Sequence, residues 1–251
     1  MRKLILLALL GLGVFLLVVL VRLPATQLSQ FAPDGIGLES PSGTVWHGSA
    51  EVLIEDWPAG RLAWRFRPAA LLQLTLRYDL GWSVSGEEIT GTLEVVRGAT
   101  RLRNLRGALP IAPLATRLGA PGWTGRLEFD LDEMKLDRNG NAGGAGEVRL
   151  VGLAGRLGSP LRLGDFRWRP GTPGNADRPG AWRGFAEDAG DGPLRLRSIL
   201  EIDIRGRYRL SGDLAVSELA TTSEAALLGS VLFAYGTPDQ EGRHSFVIES
   251  R

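Results

Sequence analysis

The 251-residue chain contains no cysteine, only two histidines and, among its 29 basic residues, only two lysines. The absence of cysteine excludes disulfide bonds, thiol nucleophiles, iron–sulfur clusters and Cys-ligated zinc. The two histidines, His47 and His244, leave little material for imidazole catalysis or a His-rich metal site. We therefore expect neither a metal ion nor a cofactor.

The sequence also lacks the common catalytic motifs, since it has no G-x-S-x-G elbow, no HExxH pair and no Walker loop. Segment 137–147 (DRNGNAGGAGE) has the alternating Asp and Asn residues of a calcium loop. However, Ala142 occupies the sixth position, which requires glycine, and Val148 the twelfth, which requires glutamate. We interpret this segment as a hairpin loop and expect that the protein is not an enzyme.

The charge of the chain does not favour a nucleic-acid partner. The net charge is +1. Without Arg2 and Lys3, which precede a long apolar run, 27 basic side chains stand against 28 acidic ones. This balance gives no basic stripe of the kind that nucleic-acid binding requires.

The apolar run covers residues 4–21 (LILLALLGLGVFLLVVLV) and contains no charged or polar side chain. As a helix, this run would be about 27 Å long, close to the ~30 Å hydrocarbon core of a bilayer. Two basic residues precede the run and Arg22 follows it. The positive-inside rule therefore places Met1 in the cytoplasm and the chain after Arg22 outside it.

A cleaved signal peptide is the alternative interpretation of this run. The apolar part of a signal peptide is about 7–15 residues long and ends at a small-x-small site. Here the run is longer, and the VRLPAT that ends it offers no Ala-x-Ala site. We therefore expect residues 1–25 to form a cytoplasmic stub and a single-pass inner-membrane anchor, and residues 26–251 to form a periplasmic domain.

Beyond the anchor, apolar and polar residues alternate with a period of two. In residues 60–67, for example, Leu62, Trp64 and Phe66 share one face while arginines occupy the other. Such segments recur with glycine-containing breaks, which indicates antiparallel strands with one apolar and one solvated face. Strands are predicted at 50–55, 60–67, 73–80, 90–97, 100–106, 125–134, 146–153, 161–168, 194–210, 213–217 and 243–249.

Only two short helices are predicted in this domain. Thr221 and Glu224 form a capping-box pattern before an apolar run, so we expect a helix around 222–235. A shorter helix is expected at 110–118. Residues 169–193 contain four prolines and six glycines, and are interpreted as a long exposed loop that divides the sheet into halves. The predicted fold is mainly β: an N-terminal transmembrane helix followed by a large, elongated and curved antiparallel sheet.

The longest alternating stretch is 194–210. Leu200, Ile202 and Ile204 share its apolar face, and Asp203 is expected on the solvated face. The same alternation suits a closed core and an open apolar groove, so the sequence leaves both interpretations open.

Three segments, together with the predicted anchor, resemble one protein family. They are ESPSGTVWHGSA at 39–50, RLAWRFRPAALL at 61–72 and LLGSVLFAYGTPDQEGRHSF at 227–246. In this order they resemble type II secretion system protein N, a bitopic cytoplasmic-membrane component of the general secretion pathway in Gram-negative bacteria. The family pattern G-T-x-W-x-G-x-A and the tryptophan strand that follows it map to Gly43, Thr44, Trp46, Gly48, Ala50, Trp64 and Pro68.

The resemblance implies an accessory or scaffold role in assembling the apparatus that exports folded proteins across the outer membrane. Its partners would be the membrane and other components of that apparatus, and it implies no active site. The motif alternatively serves folding alone. A second function also stays open, because long sheets with one apolar face occur in periplasmic proteins similar to the AsmA family, in which an apolar groove suits lipid chains.

Overall fold

The computed structural model of the chain describes residues 10–12, 15, 18–31, 35–54, 57–117, 121–157, 159–172, 181–203 and 207–249. More than half of the predicted anchor segment, 4–21, lies outside these residues. Its described residues are helical and their apolar side chains are exposed. None of the helices formed by described residues is long and apolar enough to cross a membrane.

Within the described residues, thirteen strands form one antiparallel sheet whose spatial order follows the chain order. The strands are β1 Ile36–Gly43, β2 His47–Ile54, β3 Trp57–Phe66, β4 Leu76–Val84, β5 Glu87–Val96, β6 Ala99–Pro110, β7 Thr124–Asp137, β8 Ala142–Leu157, β9 Ser159–Pro170, β10 Ala181–Asp188, β11 Leu194–Asp203, β12 Tyr208–Val216 and β13 His244–Glu249. The predicted mainly β, antiparallel fold is confirmed.

Short helices lie between the strands or just before them. The 3-10 helices are η1 Ala25–Phe31, η2 Pro68–Gln73 and η3 Phe233–Tyr235, and the α-helices are α1 Ala112–Arg117 and α2 Thr222–Leu232. Thr221 caps α2 as predicted: its hydroxyl accepts from the Glu224 N–H at 3.3 Å, and the Glu224 carboxylate accepts from the Thr221 N–H at 2.9 Å. Both predicted helices are confirmed.

The strand register separates an apolar face from a charged face. On the apolar face, Leu93 of β5 lies opposite Leu102 of β6, because directly paired residues of antiparallel strands project to the same side. On the other face, ion pairs join adjacent strands; Arg77 of β4, for example, lies 2.8 Å from Glu94 of β5. The period-two alternation therefore predicts the two faces correctly.

The prediction of one long loop over 169–193 is wrong. Strand β10 lies inside this range and pairs with β9 and β11, so the sheet continues through it. Gly184 lies inside β10, where it pairs with Pro170 and Leu200. A Cβ at this position would clash with the backbone oxygen of Arg169 and the indole ring of Trp168, so the strand requires glycine here. This glycine permits close approach of two strands and does not mark a break.

Asp203 is also placed differently from the prediction. Its carboxylate accepts hydrogen bonds from the backbone N–H and the Nε of Arg207, at 3.0 and 2.7 Å, and its side chain is mostly buried. Asp203 therefore closes the connection from β11 to β12, whereas alternation alone placed it in solvent.

Candidate functional site

A three-residue turn, 44–46, connects β1 to β2 and holds the end of the apolar helix. We call it the motif turn. The N–H of Val45 donates to the backbone oxygen of Leu23 at 3.0 Å, and the indole N–H of Trp46 donates to the backbone oxygen of Leu20 at 2.8 Å. The last carbonyls of a helix lack partners within the helix. Within its own segment, the Leu20 oxygen accepts a long bond, from the Leu23 N–H at 3.4 Å. The motif turn therefore adds a short hydrogen bond to this carbonyl and fixes the chain just after the helix.

Gly43 and Gly48 allow the motif turn to close. Gly43 has φ +87°, a conformation that favours glycine. A Cβ at Gly43 would lie 2.9 Å from the Cα of Gly48, and a Cβ at Gly48 would lie 2.8 Å from the Trp64 ring. Since real Cβ atoms do not approach other atoms this closely, the turn geometry requires glycine at both positions.

Trp64 lies beneath the motif turn. Its side chain is 5% exposed, and its indole N–H donates to the backbone oxygen of Thr44 at 3.0 Å. It forms a buried cluster with Ala50 of β2 and Ala25 of η1. Through this cluster the segment that follows the apolar helix is packed onto the first strands of the sheet.

Aromatic rings continue the site towards β4. The ring centroid of Trp46 lies 4.9 Å from that of Phe66, which lies 5.3 Å from that of Tyr78. The Phe66 N–H donates to the Trp46 backbone oxygen at 2.6 Å, and Pro68 begins η2 two residues later. Burial raises the pKa of Tyr78. The structure thus brings the seven motif residues of the sequence analysis into one region, and their functional role stays a prediction.

A second candidate site is the apolar face of β7 to β13, which lines an open trough of about 700 Å³. The predicted residues Leu200 and Ile202 line this trough and are half-buried, whereas Ile204 lies outside the described residues. Across the strands, Ile202 lies opposite Trp182 of β10 and Tyr208 of β12. Of the two interpretations left open by the sequence, an open groove fits this face.

Helix α2 packs against residues at the border of the trough. Its buried residues Leu228 and Leu232 pack against Leu161, Leu163 and Leu194, and two of these partners, Leu163 and Leu194, also line the trough. The capping box at the start of α2 therefore stabilises a helix that packs beside this site.

The hairpin loop between β7 and β8 begins the segment, 137–147, whose Asp and Asn residues resemble those of a calcium loop. The Asp137 carboxylate accepts from the backbone N–H groups of Asn139 and Asn141, both at 2.8 Å, and from the Asn141 side chain at 2.9 Å. The side-chain hydrogen bond from Asn141, followed by the one from its backbone, lowers the pKa of Asp137. The interpretation as a hairpin loop is confirmed. The described part of the chain contains no group of three or more His, Asp or Glu residues that could hold a metal ion.

Sequence reasoning missed the contact of Trp46 with Leu20 and the extent of the trough. The signal for the first is a tryptophan in a turn between two glycines, in the part of the chain that follows an apolar run. The signal for the second is that Phe129, Trp168 and Phe246, three large in-phase residues of β7, β9 and β13, all line the same trough.

Comparison with known proteins identifies a family that the chain matches. A family model described as type II secretion system (T2SS), protein N, matches residues 34–247, a range that begins just before β1 and ends within β13. The match confirms the resemblance that the motif segments carry. No curated protein and no solved structure matches the chain.

Proposed function

The chain belongs to the family of type II secretion system protein N and is thus a component of type II secretion, and we propose that it is a scaffold anchored in the inner membrane. In this proposal residues 1–25 hold the chain in the membrane with the N-terminus in the cytoplasm. Residues 26–251 lie in the periplasm and help assemble the apparatus by contacting its other components. The protein performs no catalysis in this role.

The observation that carries the proposal is the attachment of the apolar helix to the sheet. Two hydrogen bonds from the motif turn hold Leu20 and Leu23, at the exit of the apolar run. The described helical residues before Arg22 expose apolar side chains on all sides, as lipid contact requires. A sheet fixed to its anchor presents its surfaces in a defined orientation to the membrane, which is what a scaffold needs.

Replacing Trp46 tests the proposal. Trp46→Phe keeps a ring against Phe66 and removes the indole N–H that holds Leu20. In cells that depend on this protein for type II secretion, we expect the variant to accumulate normally while secretion falls and fewer apparatus components co-purify with it.

Trp82→Phe is the matched control, because the Trp82 indole N–H donates to the Ala59 backbone oxygen at 2.9 Å, inside the sheet and away from the helix. Removal of one such hydrogen bond costs about 0.5–1.5 kcal/mol in either variant. Normal secretion by the Trp46 variant, or an equal defect in both variants, would contradict the scaffold proposal.

We propose binding of lipid acyl chains as a second candidate function, because the trough is lined almost entirely by apolar side chains. An apolar surface of this extent is normally a binding surface. A photoactivatable fatty acid added to the full-length protein should cross-link to β7–β13. Cross-links spread evenly over both faces of the sheet would argue against this function.

A further inference from the structure

The connection from β3 to β4 exposes three leucines. We call residues 68–74, which comprise η2 and Leu74, the leucine loop. Leu72 and Leu74 are 91% and 90% exposed, and Leu71 is 48% exposed. Such exposure of neighbouring large apolar side chains indicates a surface that is covered in the functional state.

Hydrogen bonds hold the leucine loop in this exposed arrangement. The N–H of Leu74 donates to the backbone oxygen of Leu71 at 2.9 Å, and the N–H of Thr75 donates to that of Ala70 at 3.2 Å. Ala70 and Thr75 are buried. The leucines therefore project from an ordered turn.

Leu74 has φ +54°, in the left-handed region. Glycine adopts this conformation at helix ends without strain, whereas leucine does not. The exposed side chain of Leu74 gains little from burial to offset this strain. Strained positions of this kind occur where a side chain serves binding.

The leucine loop lies at the same end of the sheet as the exit of the apolar helix. The contacts connect them in two steps, since Leu20 accepts from the indole of Trp46 and Trp46 contacts the ring of Phe66. The loop begins two residues after Phe66. At the ~2 Å rise of a 3-10 helix, η2 extends only about 8 Å from Pro68 to Leu72.

Basic residues outnumber acidic ones at this end of the sheet. Segments 18–24, 43–48 and 65–77 contain four arginines and no acidic residue; the arginines are Arg22, Arg65, Arg67 and Arg77. Two of them pair with acids of the strands, Arg67 with Asp79 at 2.5 Å and Arg77 with Glu94 at 2.8 Å. An excess of positive charge remains beside an apolar tip, which matches the headgroup region of an anionic bilayer.

We propose that the leucine loop inserts into the surface of the anionic phospholipid bilayer that the anchor enters. The inference rests on the proposed anchor, because only the anchor brings this end of the sheet to the membrane. With the loop as a second contact, the sheet cannot pivot about the chain at Leu23. The membrane then fixes its tilt as well as its position.

The absence of cysteine from the chain allows a direct test. A fluorophore on Leu72→Cys is placed in the full-length protein in nanodiscs of phosphatidylglycerol and phosphatidylcholine that contain a lipid spin-labelled near its headgroup. We expect the spin label to quench fluorescence from position 72, and the quenching to decrease when phosphatidylglycerol is left out.

Leu219→Cys is the matched control. Leu219 is an exposed leucine that follows β12. Because consecutive strands of the sheet are antiparallel, β12 ends at the side of the sheet opposite the end of β3, where Phe66 and the leucine loop lie. Position 219 should stay unquenched. Equal quenching of the labels at positions 72 and 219 would overturn the proposal.

A label on Val19→Cys, in the apolar run, separates the two hypotheses. Quenching at position 19 without quenching at position 72 leaves the anchor intact and overturns the second contact. Loss of quenching at position 19 overturns the anchor, and the second contact with it.

Discussion

The indole N–H of Trp46 donates to the backbone oxygen of Leu20, 26 positions earlier in the chain, across 2.8 Å. This bond joins the turn between β1 and β2 to the last turn of the apolar helix. Trp64, below the turn, donates to Thr44 and thereby holds the same turn from the sheet side. Two tryptophan side chains thus connect the helix to the sheet, and the glycines between them make the close approach feasible.

Gly48→Ala should disrupt this connection. The new Cβ would lie 2.8 Å from the Trp64 ring and would clash with the Ser42 backbone oxygen. We expect the free energy of unfolding to fall by about 1–3 kcal/mol, as in other overpacked sites, with a lower melting temperature by circular dichroism. The control is Gly229→Ala in α2, where nothing lies within 4 Å of the added Cβ; it should stabilise by about 1 kcal/mol.

Leu74→Gly should stabilise the fold and weaken membrane contact. Glycine relieves the left-handed strain at φ +54°, which costs leucine about 1–2 kcal/mol, while the greater freedom of glycine in the unfolded chain cancels part of the gain. We expect a net increase of up to about 1 kcal/mol in the free energy of unfolding, measured in detergent. In nanodiscs, the label at position 72 should be quenched less. A variant that is less stable than wild type would show that Leu74 makes stabilising contacts in the fold.

The two-faced sheet could be predicted from sequence because period-two alternation is a local property of each strand. The capping box of α2 was equally accessible, since Thr221 and Glu224 lie three residues apart. Strand β10 was missed because the role of Gly184 depends on the ring of Trp168 in the neighbouring strand. No local pattern distinguishes a glycine that permits close packing from one that ends a strand.

Strand β1 was missed for a related reason. It contains Pro41, and its register shifts between Glu39 and Ser42, where Ser40 has φ +46°. Proline and bulges are tolerated there because β1 is an edge strand. Edge position is a property of the whole sheet. The same applies to the open trough, because whether an apolar face is covered depends on elements distant in sequence.

Acid should weaken the capping box of α2. The backbone N–H of Thr221, followed by its hydroxyl, donates to the Glu224 carboxylate and lowers the pKa of Glu224. A lowered folded-state pKa means that the stabilisation is complete above the unfolded-state value of about 4.3 and is lost as the pH falls through the folded-state value. The stability difference between wild type and Glu224→Gln should therefore be complete at pH 7 and shrink as the pH falls through the lowered folded-state pKa of Glu224. A difference that does not change between pH 7 and the acid end of the titration would contradict this assignment.

Ile202→Asp should separate folding from lipid binding. Ile202 is half-buried in the trough, between Trp182 and Tyr208 on the neighbouring strands. Because the trough is open, the carboxylate keeps contact with water, and we expect the cost in the free energy of unfolding to stay within the usual range for point substitutions, about 0.5–3 kcal/mol. A charge in an apolar channel should nevertheless abolish cross-linking of the photoactivatable fatty acid.

The control is Arg197→Ala, which replaces an exposed residue of the same strand. It should change the free energy of unfolding by less than about 0.5 kcal/mol and leave cross-linking intact. If Ile202→Asp folds and still cross-links as well as wild type, the trough does not bind acyl chains at β11; if it fails to fold, this face is a closed core.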